Sequence, residues 1–243
     1  FSIFGVARRL EIDADWIELS ANPRSVQSIK ENQSVDLEKA IESYHSWDRI
    51  TKDKNDRSDG VNPETLGRFI KRGIAVAGPG MGKTTLLKRI TRRYSEDNIP
   101  VLSVRLSAVA ADMKSGSSFE ESVFRHGLDG SGLPHDKVQE AGFSNWLLLG
   151  DGLDECGEMQ ERVAEGISRF ATGYPDSRVL ITTRPVGYAA NHFTNWRHYD
   201  LLPLDPSYAA THVSRLWDAI TGPDDSDNRR HSVCESELEN KSV

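Results

Sequence analysis

Apolar residues in this chain come in short bursts separated by polar, charged or glycine-rich stretches, and the bursts fall into two periods. Ile74 to Ala77, Asn98 to Leu106, Asn145 to Asp151 and Arg178 to Thr183 are nearly continuous apolar runs, the pattern of strands covered on both faces. His198 to Leu202 reads as a fifth strand. Between them lie stretches of helical spacing. The basic segment from Lys83 is amphipathic, and Glu158 to Thr172 places Met159, Val163, Ile167 and Phe170 on one side. Asp112 to His135 reads as irregular, with one short helix around Phe119 to Phe124 and a loop from Gly127 to Pro134. Strands alternating with helices predict an α/β fold: a mainly parallel five-stranded sheet, right-handed crossovers, and helices on both faces. A ligand then belongs outside the carboxyl ends of the strands.

The flanks are less regular. Residues 1–32 hold small apolar groups broken at Asn22-Pro23. From Ser34 to Ile50, Val35, Leu37, Ala40, Ile41, Tyr44 and Trp47 recur close to a helical face, with Ser34 as N-cap. Thr51 to Glu64 is charged and without period, a surface loop. Asp205-Pro206 supplies an N-cap and a proline at the first helical position, opening a helix with Ala209, Val213, Leu216, Trp217 and Ile220 inside. Beyond Thr221 the chain is polar. The expected division is therefore an N-terminal helical and irregular segment with its linker over residues 1–64, an α/β domain over 65–204, and the start of a helical domain with a polar tail over 205–243.

Composition narrows the classes. A net charge of −7 gives no electrostatic footprint for direct nucleic-acid binding. The apolar runs are far too short to cross a bilayer, and the start of the chain has no signal-peptide pattern. With only Cys156 and Cys234, a disulfide framework is excluded and a reducing, cytoplasmic setting is the simpler expectation. The chain begins without methionine and ends in polar sequence, as an excised fragment of a longer protein would.

Chemistry is concentrated where the first strand ends. Gly78, Pro79, Gly80, Met81, Gly82, Lys83, Thr84 and Thr85 follow the apolar run directly, and a helix follows them. A side-chain-poor turn exposes backbone N–H groups to an anion, and the helix adds the positive end of its dipole. This is the pattern of a phosphate-binding loop. Lys83 is expected on the β- and γ-phosphates of a nucleotide, and the Thr84 hydroxyl on Mg²⁺. Ala77 stands where the strict pattern has its first glycine, a mild departure because alanine leaves little side chain.

The third strand ends in Gly150-Asp151-Gly152-Leu153-Asp154-Glu155. A carboxylate fixed at a strand end is what a Mg²⁺-nucleotide needs on the far side of the metal, so Asp151 is the expected second metal residue. Asp154 or Glu155, with Glu155 favoured, then orients or deprotonates an attacking water. The alternative is that both acids merely cap the helix that follows. Arg184, at the end of the fourth strand, is placed to contact the γ-phosphate.

Taken together, Ala-Gly-Pro-Gly-Met-Gly-Lys-Thr-Thr, Leu-Leu-Leu-Gly-Asp-Gly-Leu-Asp-Glu and Val-Leu-Ile-Thr-Thr-Arg-Pro, in this order, resemble the NACHT family of signal-transducing (STAND) P-loop NTPases over about residues 65–220. A small residue after the metal aspartate, with a second acidic pair further on, is the most specific element. Gly150 departs from the aliphatic residue usual at its position. The resemblance implies ATP and ADP as ligands, slow hydrolysis, switching between nucleotide states, and self-association through the NTPase domain in a longer protein. It also implies a sensor ligand and an effector of unknown identity, in an innate-immune or antiphage defence setting. By the same likeness Leu202-Pro203-Leu204 leads into the small helical domain, where Pro203 is a candidate for an adenine contact. Two other readings stay open: a AAA-like remodelling or nucleic-acid-translocating ATPase, and a non-catalytic scaffold stabilised by bound nucleotide.

Overall fold

A computed structural model describes residues 19, 21–23, 71–96, 99–129, 131, 146–185, 188–202, 210 and 214. The chain divides into two compact units, one of residues Leu19–Pro203 and the other of Phe1–Glu18 with Leu204–Val243. Only residues 210 and 214 of the second unit are described. The expected helix from Ser34 to Ile50, the linker to Glu64, most of the helix from Asp205 to Ile220 and the suggested contact at Pro203 lie outside the described residues.

The first unit is built on one six-stranded sheet. Its described strands are β1 (Ala21–Pro23), β2 (Arg72–Val76), β3 (Val101–Arg105), β4 (Leu147–Asp151), β5 (Arg178–Thr183) and β6 (Arg197–Leu201), in the order β1-β6-β2-β5-β4-β3. The five strands expected from the apolar runs are parallel to one another. The sixth, β1, is a correction: residues read as a break at Asn22-Pro23 pair antiparallel with β6, Asn22 opposite Asp200 and Pro23 opposite Tyr199. Proline cannot donate to a ladder, and an edge strand is where a sheet tolerates one.

Strand periodicity assigns the two faces. Ile74, Val76, Leu102, Val104, Leu148, Val179 and Ile181 share one core with α2 (Leu106–Lys114), α3 (Phe119–Gly127) and α4 (Gln160–Gly173). The alternate residues Ala75, Leu147, Leu149 and Leu180 are buried outside that core, and α1 (Lys83–Glu96), burying Leu86, Leu87, Ile90 and Tyr94, packs against β3 and β4. Both faces are therefore covered at β2, β4 and β5, which carry runs of buried residues, whereas β3 at the end of the sheet alternates, with Leu102 and Val104 buried and Ser103 and Arg105 exposed.

Helix α2 is a second correction. The run from Asn98 predicts strand through Leu106, but the strand stops at Arg105 and Leu106 opens a helix with no intervening turn. Leu106, Val109, Ala110 and Met113 are its buried residues, the i, i+3, i+4, i+7 spacing of one helical face. A third difference lies after β4. Residues Leu153–Met159 form a 3₁₀ segment kinked at Gly157, at φ 54° and ψ −132°, and the long helix α4 runs on from it at Gln160, within two residues of the expected start.

Two details lock α4 in place. The Arg72 guanidinium donates to the carbonyls of Ala171 and Ser177, and to that of Tyr174 at 3.4 Å, so the first parallel strand supplies the cation at the C-terminal end of this helix. Gly166 lets α4 approach α3 closely: a β-carbon there would meet Phe119 Cγ at 2.5 Å. Helix propensity alone favours Gly166→Ala by up to about 1 kcal/mol. Overpacking against a ring root costs about 1–3 kcal/mol, so the substitution is expected to lower stability in urea unfolding, and a stabilised variant would contradict this packing.

Candidate nucleotide site

The carboxyl ends of β2, β4 and β5 converge on one rim of the sheet. From β2 the chain continues as Ala77 and Gly78, both buried; the Ala77 N–H donates to the Thr183 carbonyl at 3.0 Å, carrying the β2–β5 pairing one residue past the strand. Pro79 and Gly80 are exposed, and Gly80 and Gly82 hold φ of 73° and 79°. That left-handed conformation costs an L side chain about 1–2 kcal/mol, which accounts for glycine at both positions. A β-carbon on Gly80 would meet nothing within 4 Å, so at that position backbone conformation, and not crowding, calls for glycine.

Met81 folds over this turn, its Sδ accepting the Gly78 N–H at 3.1 Å. The Leu86 N–H reaches back to the Gly82 carbonyl at 2.8 Å, so the first turn of α1 grows directly out of the glycine loop. Its free N–H groups and positive dipole end face the loop. Thr85, the last of the expected phosphate-binding residues, is half-buried. Leu19, just ahead of β1, is buried and lies 3.9 Å from where a Gly82 β-carbon would stand.

Lys83 curls back over the loop, donating to the carbonyls of Ala77 at 3.1 Å and Gly78 at 3.0 Å. Burial lowers its pKa from the ordinary lysine value; Asp154, Asp151 and Glu155 oppose that shift and Arg184 adds to it. Those four groups are the ones expected to share its task. The structure therefore brings every proposed charged residue into the field of one ammonium.

Asp151 ends β4. Its Oδ2 accepts the Thr84 hydroxyl at 2.6 Å, and its Oδ1 accepts the Thr182 hydroxyl at 2.6 Å. The threonine and carboxylate oxygens are hard donors side by side, the set that suits Mg²⁺, which takes few protein ligands and completes its shell with phosphate and water. Among the described residues no group of three or more His, Cys, Asp or Glu side chains forms a self-sufficient metal site. The pair thus fits a metal that arrives with a polyphosphate.

Gly150 resolves its departure from the usual pattern. A β-carbon there would stand 2.6 Å from Ile181 Cδ1 and 3.1 Å from both Leu106 δ-carbons. Those neighbours occupy the space an aliphatic side chain would fill, and the strand runs on unbroken to Asp151. Gly152, at φ 76°, then turns the chain sharply.

Asp154 and Glu155 part company. Asp154 spends both oxygens on Arg184, accepting its backbone N–H at 2.9 Å and pairing with its Nε at 3.1 Å, and its side chain is 11% exposed. Glu155 is 55% exposed and lies 3.7 Å from an Arg184 terminal nitrogen. Neither acid donates a cap to α4, whose N-cap, Met159, has no side-chain capping bond. The capping alternative is therefore not what the structure contains. Cys156, in the same turn, is buried, and burial with Asp154 and Glu155 nearby pushes its thiol up to about 12, so it stays protonated.

Thr182 is the residue that motif reading passed over. It is fully buried, bonds Asp151 as above and accepts the Gly152 N–H at 3.0 Å. Its signal was present: β4 and β5 are parallel with Gly150 opposite Ile181, so the next position on each strand, Asp151 and Thr182, faces the α1 side together.

With this geometry in view, comparison with known proteins is decisive on the family. Residues 72–219 match the NACHT domain family, well over half of the 243-residue chain. The chain belongs to the NACHT family. No curated protein matches it. Among solved structures the NACHT chain is similar to a DNA replication initiation factor, at 15% identity over 79% of this chain and 57% of the other, with a TM-score of 0.49. It is also similar to domain III of the Thermotoga maritima replication initiation protein DnaA, at 16% identity over 82% and 76% of the two chains and a TM-score of 0.43. A third is C. elegans PCH-2, at 15% identity over 83% and 54%, with a TM-score of 0.37. The NACHT chain thus spans little more than half the length of the first of these structures. No described helix is long and apolar enough to cross a membrane.

The turn at Gly152 yields a prediction. Gly152→Ala forces an L residue to φ 76° and sets its β-carbon 3.1 Å from Glu155 Cδ. It is expected to cost about 1–2 kcal/mol in urea unfolding; a variant as stable as the parent would show that the turn is not held in this conformation.

Proposed function

We propose that this P-loop NTPase domain binds ATP and ADP with Mg²⁺, hydrolyses ATP slowly, and uses the difference between the two states as a switch in a longer signalling protein. The observation that supports the reading most is the 2.6 Å bond joining Thr84 of the glycine loop to Asp151 of the acidic strand end, with Lys83 in the same electrostatic field. Family membership supports the coarser statement, nucleotide binding by a P-loop NTPase.

Each residue has a task on this reading. The backbone N–H groups from Gly80 to Thr85, at the start of α1, cradle the phosphates. Lys83 exchanges the two carbonyls it now contacts for β- and γ-phosphate oxygens. Thr84 and Asp151 would hold Mg²⁺, which when bound would neutralise phosphate charge. Glu155, exposed and not consumed by Arg184, accepts a proton from the attacking water. Arg184 stands at the γ-phosphate end and reports whether that group is present. Asp154 holds Arg184, so its role is positioning and not proton transfer.

The wider biology follows from family likeness and is equally a proposal. Exchange of ADP for ATP in response to a sensor ligand would release self-association through the NTPase domain and activate an attached effector, in innate immunity or antiphage defence. A cytoplasmic setting, with ready ATP, goes with it.

Three variants test the chemistry in the purified protein. Lys83→Ala should weaken ATP binding by about 100-fold or more in calorimetry. Glu155→Gln should bind like the parent while phosphate release falls about 10²–10⁴-fold. Asp154→Asn should retain Mg²⁺-ADP affinity but narrow the affinity difference between ATP and ADP. Loss of binding in Glu155→Gln, or undiminished turnover, would overturn the assignment of the base.

A further inference from the structure

We infer that Thr182 is a positioning residue for the metal-holding carboxylate, setting the Mg²⁺ requirement of nucleotide binding without touching metal or nucleotide. The inference rests on the nucleotide-switch reading and extends it to a residue outside the glycine loop, the acidic turn and Arg184.

The sheet order creates the need. Strand β5 lies between β2 and β4, so Asp151 is two strand spacings, about 10 Å, from the strand that launches the phosphate loop. To meet Thr84 its carboxylate must lean across the end of β5. The β5 residue beneath it is Thr182, which sits opposite Ala75 of β2 on one side and beside the Gly150–Ile181 pairing with β4 on the other.

A hydroxyl satisfies both demands of this place. Its hydrogen goes to Asp151 Oδ1 at 2.6 Å, and its oxygen accepts the Gly152 N–H at 3.0 Å. Donation to Oδ1 leaves Oδ2 directed at Thr84, 2.6 Å from its hydroxyl. Acceptance from Gly152 ties down the turn that follows Asp151. Because Thr182 is fully buried, water cannot replace either bond if the hydroxyl is lost. Oxygen-bound second-layer partners of this kind commonly tune metal affinity by about 10–100-fold.

Valine removes the hydroxyl while keeping the branched shape, and serine keeps the hydroxyl while losing a methyl. Binding of ATPγS is measured by calorimetry across a MgCl₂ titration and again in EDTA, with thermal unfolding of each variant as the fold control. For Thr182→Val the Mg²⁺ concentration giving half-maximal enhancement should rise about 10–100-fold, with affinity in EDTA unchanged, and Thr182→Ser should stay near the parent. Thr182→Ala, smaller and free of crowding, is read the same way should the valine variant not fold. A parental Mg²⁺ dependence in the folded valine or alanine variant overturns the inference, as does an equal loss of affinity in EDTA. A parent protein that binds ATPγS without any Mg²⁺ enhancement instead overturns the metal reading of Thr84 and Asp151, and this inference with it.

Discussion

One carboxylate joins the three elements on which the site depends. Asp151 accepts hydrogen bonds from Thr84 at the start of α1 and Thr182 at the end of β5, while itself ending β4. None of these elements is adjacent in sequence to another. Their meeting is a consequence of sheet order: α1 packs on the face that Asp151 and Thr182 share, and β5 is inserted between the strands that carry the phosphate loop and the acid. The opposite face, filled by α2, α3 and α4, fixes the height of the strand ends through Leu106 and Ile181 pressed against Gly150.

The charges at this rim are arranged to accept a highly charged ligand. Three carboxylates, Asp151, Asp154 and Glu155, face two cations, Lys83 and Arg184, and each cation is occupied by partners of its own. Lys83 rests on two backbone carbonyls, neutral acceptors that an anionic phosphate oxygen can replace with a bond in which both partners are charged. Arg184 meets Asp154 through its backbone N–H and its Nε and lies 3.7 Å from Glu155, with its side chain 47% exposed. The two cations thus rest on different kinds of partner, backbone carbonyls for Lys83 and carboxylates for Arg184.

Much of this was legible along the chain, and what was missed was missed for identifiable reasons. Runs of buried residues located β2, β4 and β5, whereas β3 and β6 include exposed Ser103, Arg105 and Arg197 and were legible from the apolar residues beside them. The glycine loop and Asp151 were legible because the chemistry they serve demands few residue types in a fixed order. β1 was hidden by a proline that an edge strand tolerates. α2 was hidden because Leu106 continues the apolar run of β3 without any turn residue between strand and helix. Glu155 was favoured over Asp154 as the base, but the pairing of Asp154 with Arg184 was not legible, since adjacent acids differ only in what the end of β5 brings near them. Thr182 lay in between: a threonine in a strand is unremarkable until the register puts it beside an aspartate.

The account stands most directly on where a bound triphosphate goes. A crystal structure of the purified protein with Mg²⁺ and a non-hydrolysable ATP analogue should show Lys83 Nζ released from the Ala77 and Gly78 carbonyls and bonded to β- and γ-phosphate oxygens, with Mg²⁺ on the Thr84 hydroxyl and Asp151 beside it. Phosphates bound away from this rim, or a Lys83 still seated on its own loop while the analogue is fully occupied, would contradict it.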